Sequence, residues 1–438
     1  MYNGISMKTK LVIFGITGDL GHRKLLPAIS RIIRTGDFNN LEIIGVSRHE
    51  ADIRQLLESS LGGVDDIIDK FSMFTMDLAD ENEYIRLKDR LALEADEQVI
   101  AYLSVPPLSA TQIVDFMGQV GLNSSNVKIM YEKPFGMDYE SAVDLIKRTE
   151  RYFSDDQVYR IDHYLAKEMA QNIIAFRGGN ALFTHIWNGG VIEKIEVLAL
   201  EEIGIEGRAH FYEQTGALRD LVQGHLMQLL SLALMDIPED FEWSKLPDMR
   251  LDALEQIEIA NPELAIRGQY DSYRDEVNNQ ASLTETFVSL QLHSTAKEWK
   301  GVPLILTTGK GLGQKTTEIR VHLRKSHEAQ SNCIKFKIQP DEGVEMELFI
   351  KKPGYDREFE RQLLKFSYPE DADLPDAYEQ VIVDGIKSRK SLFTGSQEVL
   401  RSWEILRRVQ TEWQTSGDNL RIYKSGSQPE DIIGDNII

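Results

Sequence analysis

The sequence predicts a two-part α/β protein: a doubly wound parallel sheet, followed by an α+β region with a large, mostly antiparallel sheet. Three observations predict this fold class. Short apolar runs alternate with amphipathic stretches over the first third of the chain, as they do in βαβ units. A glycine-rich turn separates the first apolar run from the first amphipathic stretch. Beyond about residue 185, several apolar runs alternate with polar residues, which is typical of antiparallel strands with one solvated face.

The elements of the first region follow from these patterns in chain order. Runs rich in β-branched and large apolar residues between turn residues predict strands. Apolar residues that recur every three or four positions predict helices. The expected strands are residues 10–14, 41–46, 71–76, 98–103 and 127–131, and the expected helices between them are 25–34, 53–61, 82–93 and 109–120. We expect this dinucleotide-binding domain to span residues 8–160.

The second region contains the strand-like runs that belong to the antiparallel sheet. The expected strands are 192–201, 281–293, 303–308, 317–324, 333–338 and 345–351, and the longest expected helices are 217–235 and 397–414. We expect this second, α+β domain to span residues 161–425. Residues 426–438, which contain Gly, Ser and Asp, are expected to form a flexible tail.

The composition argues against several classes of protein. A formal net charge of −21 over 438 residues argues against nucleic acid as a partner, since phosphate backbones need a basic surface. The sequence contains no run of about 18 uncharged apolar residues, which a membrane span would require. Cys333 is the only cysteine, so no internal disulfide can form, and the nine histidines show no metal-ligand spacing. We therefore expect a cytoplasmic protein without a metal site.

The glycine turn predicts a Rossmann-type nucleotide site. Gly15, Gly18 and Gly21 lie between a predicted strand and a predicted helix, where glycines permit a tight turn and close approach of a pyrophosphate. The helix start then offers free N–H groups to the anion. The second strand ends in Ser47 and Arg48 instead of an acidic residue, which favours the 2′-phosphate of NADP over NAD. The alternative for Arg48 is a solvated surface arginine.

Three longer segments make the prediction more specific. EKPFG at residues 132–136, RIDHYLAKE at 160–168 and GALRDLVQGHLMQ at 216–228 occur in this order. They resemble signature segments of the glucose-6-phosphate dehydrogenase family, and the similarity extends over roughly residues 10–410. The resemblance implies hydride transfer from C1 of glucose 6-phosphate to NADP⁺. It also implies that residues 161–425 bind the substrate and form a homodimer or homotetramer through their sheet.

The resemblance also implies a role for each site residue. His225 would be the general base that takes the C1 hydroxyl proton, with Asp162 as its orienting carboxylate, and histidine suits this task near neutral pH. Lys133 would lie between cofactor and sugar. The implied phosphate ligands are His163, Tyr164 and Lys167, and the resemblance places Lys310 and Lys315 near the sugar phosphate. The implied partners of the sugar hydroxyls are Glu201, Asp220 and Gln339. The implied NADP ligands are Gly15, Thr17, Gly18, Asp19, Leu20, Lys24, Arg48, Tyr102, Pro106, Glu132 and Lys133.

Alternatives remain open at several of these positions. His163 is the other candidate for the general base. The alternative for His225 is a histidine packed on a helix, and the alternative for Lys24 and Lys315 is a solvated surface lysine. Ala166 and Gly224 stand where the family usually has glycine and asparagine, which leaves the sugar preference open.

Three other functions compete with this interpretation. One is an oxidoreductase for unphosphorylated sugars. Another is a short-chain dehydrogenase that uses Tyr84 and Lys88, although these lie on a charged helix predicted to be solvated surface. The third is a nucleotide-binding sensor without turnover.

Overall fold

The structure, a computed structural model, describes residues 7–325, 331–369, 371–416 and 419–434. Its contacts divide the chain into two compact units. The first unit comprises Met1–Gly136, Glu140–Ala166 and Pro375–Ser396. The second comprises Met137–Tyr139, Lys167–Leu374 and Gln397–Ile438. The domain boundaries expected at residues 160 and 425 stay predictions. The sequence analysis did not predict that Pro375–Ser396 belongs to the first unit.

The strands of the two units are numbered in chain order. They are β1 (Lys8–Phe14), β2 (Leu41–Ser47), β3 (Phe71–Thr75), β4 (Glu97–Leu103), β5 (Val127–Tyr131), β6 (Val158–Ile161), β7 (Ile192–Leu200), β8 (Ile257–Glu258), β9 (Ile266–Tyr270), β10 (Phe287–Ser294), β11 (Leu304–Gly309), β12 (Thr316–Leu323), β13 (Cys333–Gln339), β14 (Gly343–Lys351), β15 (Phe359–Ser367), β16 (Phe393–Thr394) and β17 (Arg421–Tyr423).

The α-helices are numbered in the same way. They are α1 (Leu26–Arg34), α2 (Ile53–Leu61), α3 (Glu81–Leu91), α4 (Pro107–Gln119), α5 (Tyr139–Glu150), α6 (Glu168–Gly178), α7 (Ala181–Ile186), α8 (Ala209–Ala217), α9 (Met227–Leu234), α10 (Leu246–Glu255), α11 (Tyr273–Glu276), α12 (Ala377–Ile386), α13 (Ser396–Thr415) and α14 (Pro429–Ile433). Two π-helical segments precede α1 and α9, at Gly21–Leu25 and Leu218–Leu226.

The first unit is a doubly wound sheet with the strand order β16-β6-β5-β4-β1-β2-β3. All neighbouring pairs are parallel except β16 with β6. The direction of winding reverses between β1 and β4, and in such sheets ligands bind beyond the carboxyl ends of the strands at this reversal. The glycine turn follows β1, so it lies at the place where a nucleotide is expected.

Apolar packing and helix caps hold these elements in place. Residues of β1, β2 and α1 share one buried cluster that includes Leu11, Ile29 and Ile43. The Asp52 side chain accepts hydrogen bonds from the first free N–H groups of α2. Asp376 and Glu379 form a capping box at the start of α12. These local signals fix where the helices begin.

The second unit contains a ten-stranded sheet with the order β15-β14-β13-β12-β7-β11-β10-β9-β17, with β8 paired to β10. Most neighbouring pairs are antiparallel, while β7–β11 and β9–β17 are parallel. Both parts of the predicted fold class, the parallel sheet and the mostly antiparallel one, are therefore confirmed.

Some predicted elements differ from the structure. The helix expected over 217–235 is a π-helical segment followed by α9. The strand expected to begin at residue 281 begins at Phe287. Residues 429–433, within the predicted tail, instead form α14 with buried Ile432 and Ile433, and residues 435–438 lie outside the described residues.

Candidate active site

The glycine turn of the first unit has no room for side chains. Gly15 has a φ of +82°, and a Cβ there would lie 2.3 Å from the carbonyl oxygen of Ser104, which follows β4. A Cβ on Gly21 would lie 2.0 Å from the Ile16 carbonyl oxygen. The Gly18 N–H donates to the Gly15 carbonyl at 2.9 Å. The turn therefore requires glycine at its first position and leaves main chain close to any bound pyrophosphate, which fits a dinucleotide.

The rest of the turn and the start of the first helix contain four more predicted NADP ligands. Thr17 and Asp19 are exposed, and Asp19 pairs with Arg23 at 2.8 Å. Leu20 packs against the buried cluster of the first unit. Lys24 lies 3.7 Å from Asp376 and 6.0 Å from the centre of the Tyr378 ring. The π-helical segment here fits a binding turn, because π-bulges concentrate at functional sites.

Arg48 directly follows β2 and is exposed, while Ser47 is buried and donates to the His49 carbonyl at 2.7 Å. No acidic residue occupies the end of this strand, where NAD-specific sites place one. The position of Arg48 thus fits its predicted contact with a 2′-phosphate, which stays a prediction.

The carboxyl ends of β4 and β5 bring two predicted cofactor ligands together. The Tyr102 hydroxyl donates to the Glu132 carboxylate at 2.5 Å. Burial raises the pKa of Glu132 to about 7, and burial together with that carboxylate raises the pKa of Tyr102. Pro106 forms the N-cap of α4, and the peptide bond between Lys133 and Pro134 is cis.

The segment after β6 carries the predicted carboxylate and two predicted phosphate ligands of the first unit. Asp162 is buried, and its Oδ1 accepts from the Tyr164 N–H at 2.9 Å. The His163 ring lies 4.9 Å from the Tyr164 ring, and 6.3 Å from the Tyr378 ring with only 14° between their planes. The sequence analysis missed Tyr378, although it lies within residues 10–410, the part of the chain that resembles the family.

His225 lies on the second π-helical segment, in the second unit, with only 3% of its surface exposed. Asp220 lies on the same segment, one residue beyond Arg219, whose guanidinium donates to the Met137 carbonyl at 2.8 Å. Gly216, with a φ of +66°, interrupts the helical backbone just before this segment. The sequence signalled a helix here but gave no sign of its π-helical form.

The ends of β7 and β11 bring two further predicted ligands together. Lys310 is buried, and its Nζ donates to the Glu201 carboxylate. The Glu201 N–H donates to the Gly309 carbonyl at 2.9 Å, and Tyr423 donates to the Lys310 carbonyl at 2.6 Å. This pairing places a cation next to a carboxylate that the resemblance assigned to sugar hydroxyls.

The other predicted ligands of the second unit lie at ends of elements. Lys167 is the N-cap residue of α6. Gln339 ends β13, and its amide donates to the Thr317 hydroxyl at 3.0 Å. Lys315 is exposed directly before β12. Asp162 and His225 belong to different units, so their predicted pairing stays a prediction.

Two expectations about other kinds of site can also be compared with the structure. Among the described residues, no group of His, Cys, Asp and Glu could hold a metal ion, and no helix is long and apolar enough to cross a membrane. Tyr84 is buried, not solvated as predicted, and donates to the Leu78 carbonyl, while Lys88 donates to the Val120 carbonyl. Both groups are used structurally, which argues against the short-chain dehydrogenase alternative.

The dinucleotide turn and the polar groups of the second unit define a nicotinamide-dependent dehydrogenase. Family models described as glucose-6-phosphate dehydrogenase, NAD binding domain, and glucose-6-phosphate dehydrogenase, C-terminal domain, match residues 12–172 and 174–433. The chain therefore belongs to the glucose-6-phosphate dehydrogenase family.

Known relatives are similar to this chain over nearly its whole length. A glucose-6-phosphate 1-dehydrogenase of Borreliella burgdorferi is 33% identical and covers 92% of this chain and 91% of its own length. One of Dickeya dadantii is 32% identical and covers 95% and 94%. A solved glucose-6-phosphate dehydrogenase in complex with its substrate has a TM-score of 0.91 at 27% identity, covering 98% of this chain and 97% of its own. One from Mycobacterium avium has a TM-score of 0.86 at 28% identity, covering 98% and 96%. Family membership makes this chain an enzyme that oxidises glucose 6-phosphate with NADP⁺.

Proposed function

We propose that His225 is the general base of this oxidation and takes the proton of the C1 hydroxyl, with Asp162 as its orienting carboxylate. Loss of that proton lets the C1–O bond become a carbonyl while the C1 hydride departs, which gives 6-phosphoglucono-δ-lactone. The observation that carries this assignment is the position of His225, which is buried on the same π-helical segment as the predicted sugar ligand Asp220. A buried carboxylate partner would fix the imidazole tautomer and stabilise the imidazolium that forms.

We propose that His163 binds the phosphate and is not the base. Its ring packs against those of Tyr164 and Tyr378, at 4.9 Å and 6.3 Å between ring centres. Aromatic packing holds an imidazole in place as a hydrogen-bond donor. We therefore assign His163, Tyr164, Lys167 and Lys315 to the phosphate, and Glu201, Asp220, Lys310 and Gln339 to the sugar and its immediate surroundings.

The first unit would hold the cofactor. The main chain of the turn from Gly15 to Leu20 would bind the pyrophosphate, and Arg48 the 2′-phosphate. Tyr102, Pro106, Glu132 and Lys133 would bind the nicotinamide end, and Lys24 would assist. When bound, NADP⁺ accepts the hydride that leaves C1. An assay of absorbance at 340 nm tests the function: glucose 6-phosphate with NADP⁺ should react, whereas unphosphorylated glucose should react far more slowly.

Replacing Arg48 with Ala is expected to lower the preference for NADP over NAD. A guanidinium bound to a phosphate contributes about 1.5–3 kcal/mol, so kcat/KM with NADP⁺ should fall about 10- to 150-fold while kcat/KM with NAD⁺ changes little. Steady-state kinetics with both cofactors measures this ratio. Replacing the exposed Arg90 with Ala is the control. An unchanged cofactor ratio in the Arg48 variant would rule out the 2′-phosphate contact.

The enzyme is expected to be a homodimer or homotetramer that associates through the sheet of the second unit. On β14 and β15, the side chains of Leu348, Ile350, Leu364 and Phe366 are exposed on one face. Solvent-exposed apolar patches of this kind mark association sites. Sedimentation equilibrium should give two or four times the chain mass of 49.9 kDa. A mass of one chain at micromolar concentration would contradict the proposal.

The reducing cytoplasm is the location that suits the buried free thiol of Cys333.

A further inference from the structure

Tyr212 of α8 is a buried tyrosine that has no role in the proposed mechanism. Its side chain is 3% exposed, and the Nζ of Lys310 lies 5.4 Å from the centre of its ring. A cation within about 6 Å of an aromatic face is held by the ring. The ring also packs edge-on against Tyr273, at 6.2 Å between centres. These two contacts hold the Tyr212 ring next to Lys310, which pairs with Glu201.

The Tyr212 hydroxyl differs from those of the tyrosines packed around it. Tyr270 donates to Glu276 at 2.9 Å, Tyr273 donates to Glu213 at 2.8 Å, and Tyr423 donates to the Lys310 carbonyl at 2.6 Å. Within the described part of the chain, no group hydrogen-bonds the Tyr212 hydroxyl. Phenols of buried tyrosines usually have a hydrogen-bond partner. Among the described residues, the Tyr212 oxygen does not belong to the fully buried polar atoms without a partner, so a molecule from outside the chain can reach it. A partner from outside the chain would satisfy it.

The charges around this hydroxyl indicate what that partner is. Burial raises the pKa of Tyr212 well above its usual value, and the carboxylates that add to this are Asp220, Glu285 and Glu201. Glu285 already accepts from the Leu218 N–H at 3.0 Å. Asp220 and Glu201 are the two carboxylates assigned to sugar hydroxyls. The phenol therefore stays protonated beside the groups expected to bind the sugar ring.

We propose that Tyr212 is a specificity-determining residue whose hydroxyl hydrogen-bonds a ring hydroxyl of the hexose phosphate, next to Asp220 and Glu201. This inference rests on the proposed function and adds to it. A hexose hydroxyl both donates and accepts, so it can accept from the phenol while donating to a carboxylate. A site that bonds a substrate hydroxyl in this way rejects analogues that lack the hydroxyl.

The test is the Tyr212→Phe variant, which removes the hydroxyl but keeps the ring and its contact with Lys310. A single hydrogen bond predicts a fall of about 2- to 13-fold in kcat/KM for glucose 6-phosphate, with an unchanged KM for NADP⁺. The wild type and the variant are then compared on 2-, 3- and 4-deoxyglucose 6-phosphate. On the analogue that lacks the bonded hydroxyl, the variant should be as active as the wild type, whereas the other two should show the full loss.

Tyr273→Phe is the matched control, because it also removes a buried phenol hydroxyl from α8's surroundings, but one whose partner is Glu213. Its kcat/KM should keep the same order of preference over the four sugars as the wild type. The proposal is overturned if Tyr212→Phe leaves kcat/KM for glucose 6-phosphate unchanged, or lowers it by one factor on all four sugars. Failure of the underlying function would look different, because the wild type itself would then not reduce NADP⁺ with glucose 6-phosphate.

Discussion

Replacing His225 with Asn is expected to lower kcat for glucose 6-phosphate by about 10²–10⁴-fold, which is the usual contribution of general acid–base catalysis. Asparagine remains polar and lacks only the outer atoms of the imidazole ring, so most of the buried position should stay filled. Its amide cannot take up a proton near neutral pH, and the C1 hydroxyl would have to lose its proton to water. The KM for the sugar should change only a few-fold, because the phosphate and hydroxyl ligands remain.

Two further variants make this result specific to His225. His210→Asn changes an exposed histidine of the same unit, whose Nε2 lies 3.3 Å from the Gln214 amide nitrogen, and should leave kcat unchanged. His163→Asn tests the rival base. If His163 binds phosphate, its replacement should act mainly on KM. Turnover close to that of the wild type in His225→Asn, or a loss of kcat in His163→Asn as large as that expected for His225, would refute the assignment of the base.

Local pattern was sufficient for much of the parallel sheet. The strands predicted for β1, β2, β4 and β5 lie within a residue or two of the observed bounds, because each is a buried run between clear turn residues. The glycine turn could also be predicted, because the turn has no space for a Cβ at Gly15 and Gly21 and the sequence has glycine at both positions.

Long-range pairing could not be predicted in the same way. The segment Pro375–Ser396 returns to the first unit, where the buried Lys128 donates to the Gly385 carbonyl at 2.7 Å and Gln98 donates to the Ile386 carbonyl at 2.8 Å. These bonds join residues more than 250 positions apart, and no local periodicity encodes them. For the same reason the sequence did not reveal that Tyr378 stacks on His163.

Other omissions have a cause in the residues themselves. Strand β15, FERQLLKFS, is exposed along nearly its whole length, so it lacks the clean alternation of a half-buried strand. The π-helical form of Leu218–Leu226 depends on how the backbone widens by one residue per turn, which side-chain spacing does not specify. Site residues could be chosen from motif resemblance, but the pairing of Lys310 with Glu201 required the fold.

Replacing Lys167 with Ala is expected to raise the KM for glucose 6-phosphate about 10- to 150-fold, the equivalent of a charge-assisted hydrogen bond of about 1.5–3 kcal/mol. Lys167 is the N-cap residue of α6, where the helix start adds its own attraction for an anion. Its charge also lowers the pKa of Glu342, whose carboxylate accepts from the Met169 N–H at 3.2 Å, although burial raises that pKa more. Lys167 thus stands out as a local cation in a chain of net charge −21.

The dependence on the phosphate distinguishes a ligand from a structural lysine. With unphosphorylated glucose as substrate, Lys167→Ala should match the wild type, because there is no phosphate to bind, whereas a distorted site would lose activity on both sugars. Lys167→Arg keeps the charge and should recover part of the affinity, and the exposed Lys245→Ala serves as the surface control. An unchanged KM for glucose 6-phosphate in Lys167→Ala would mean that the phosphate is held by other cations. Since a binding group acts before the chemical step, kcat at saturating sugar should stay within a few-fold of the wild type, in contrast to the loss expected for His225→Asn.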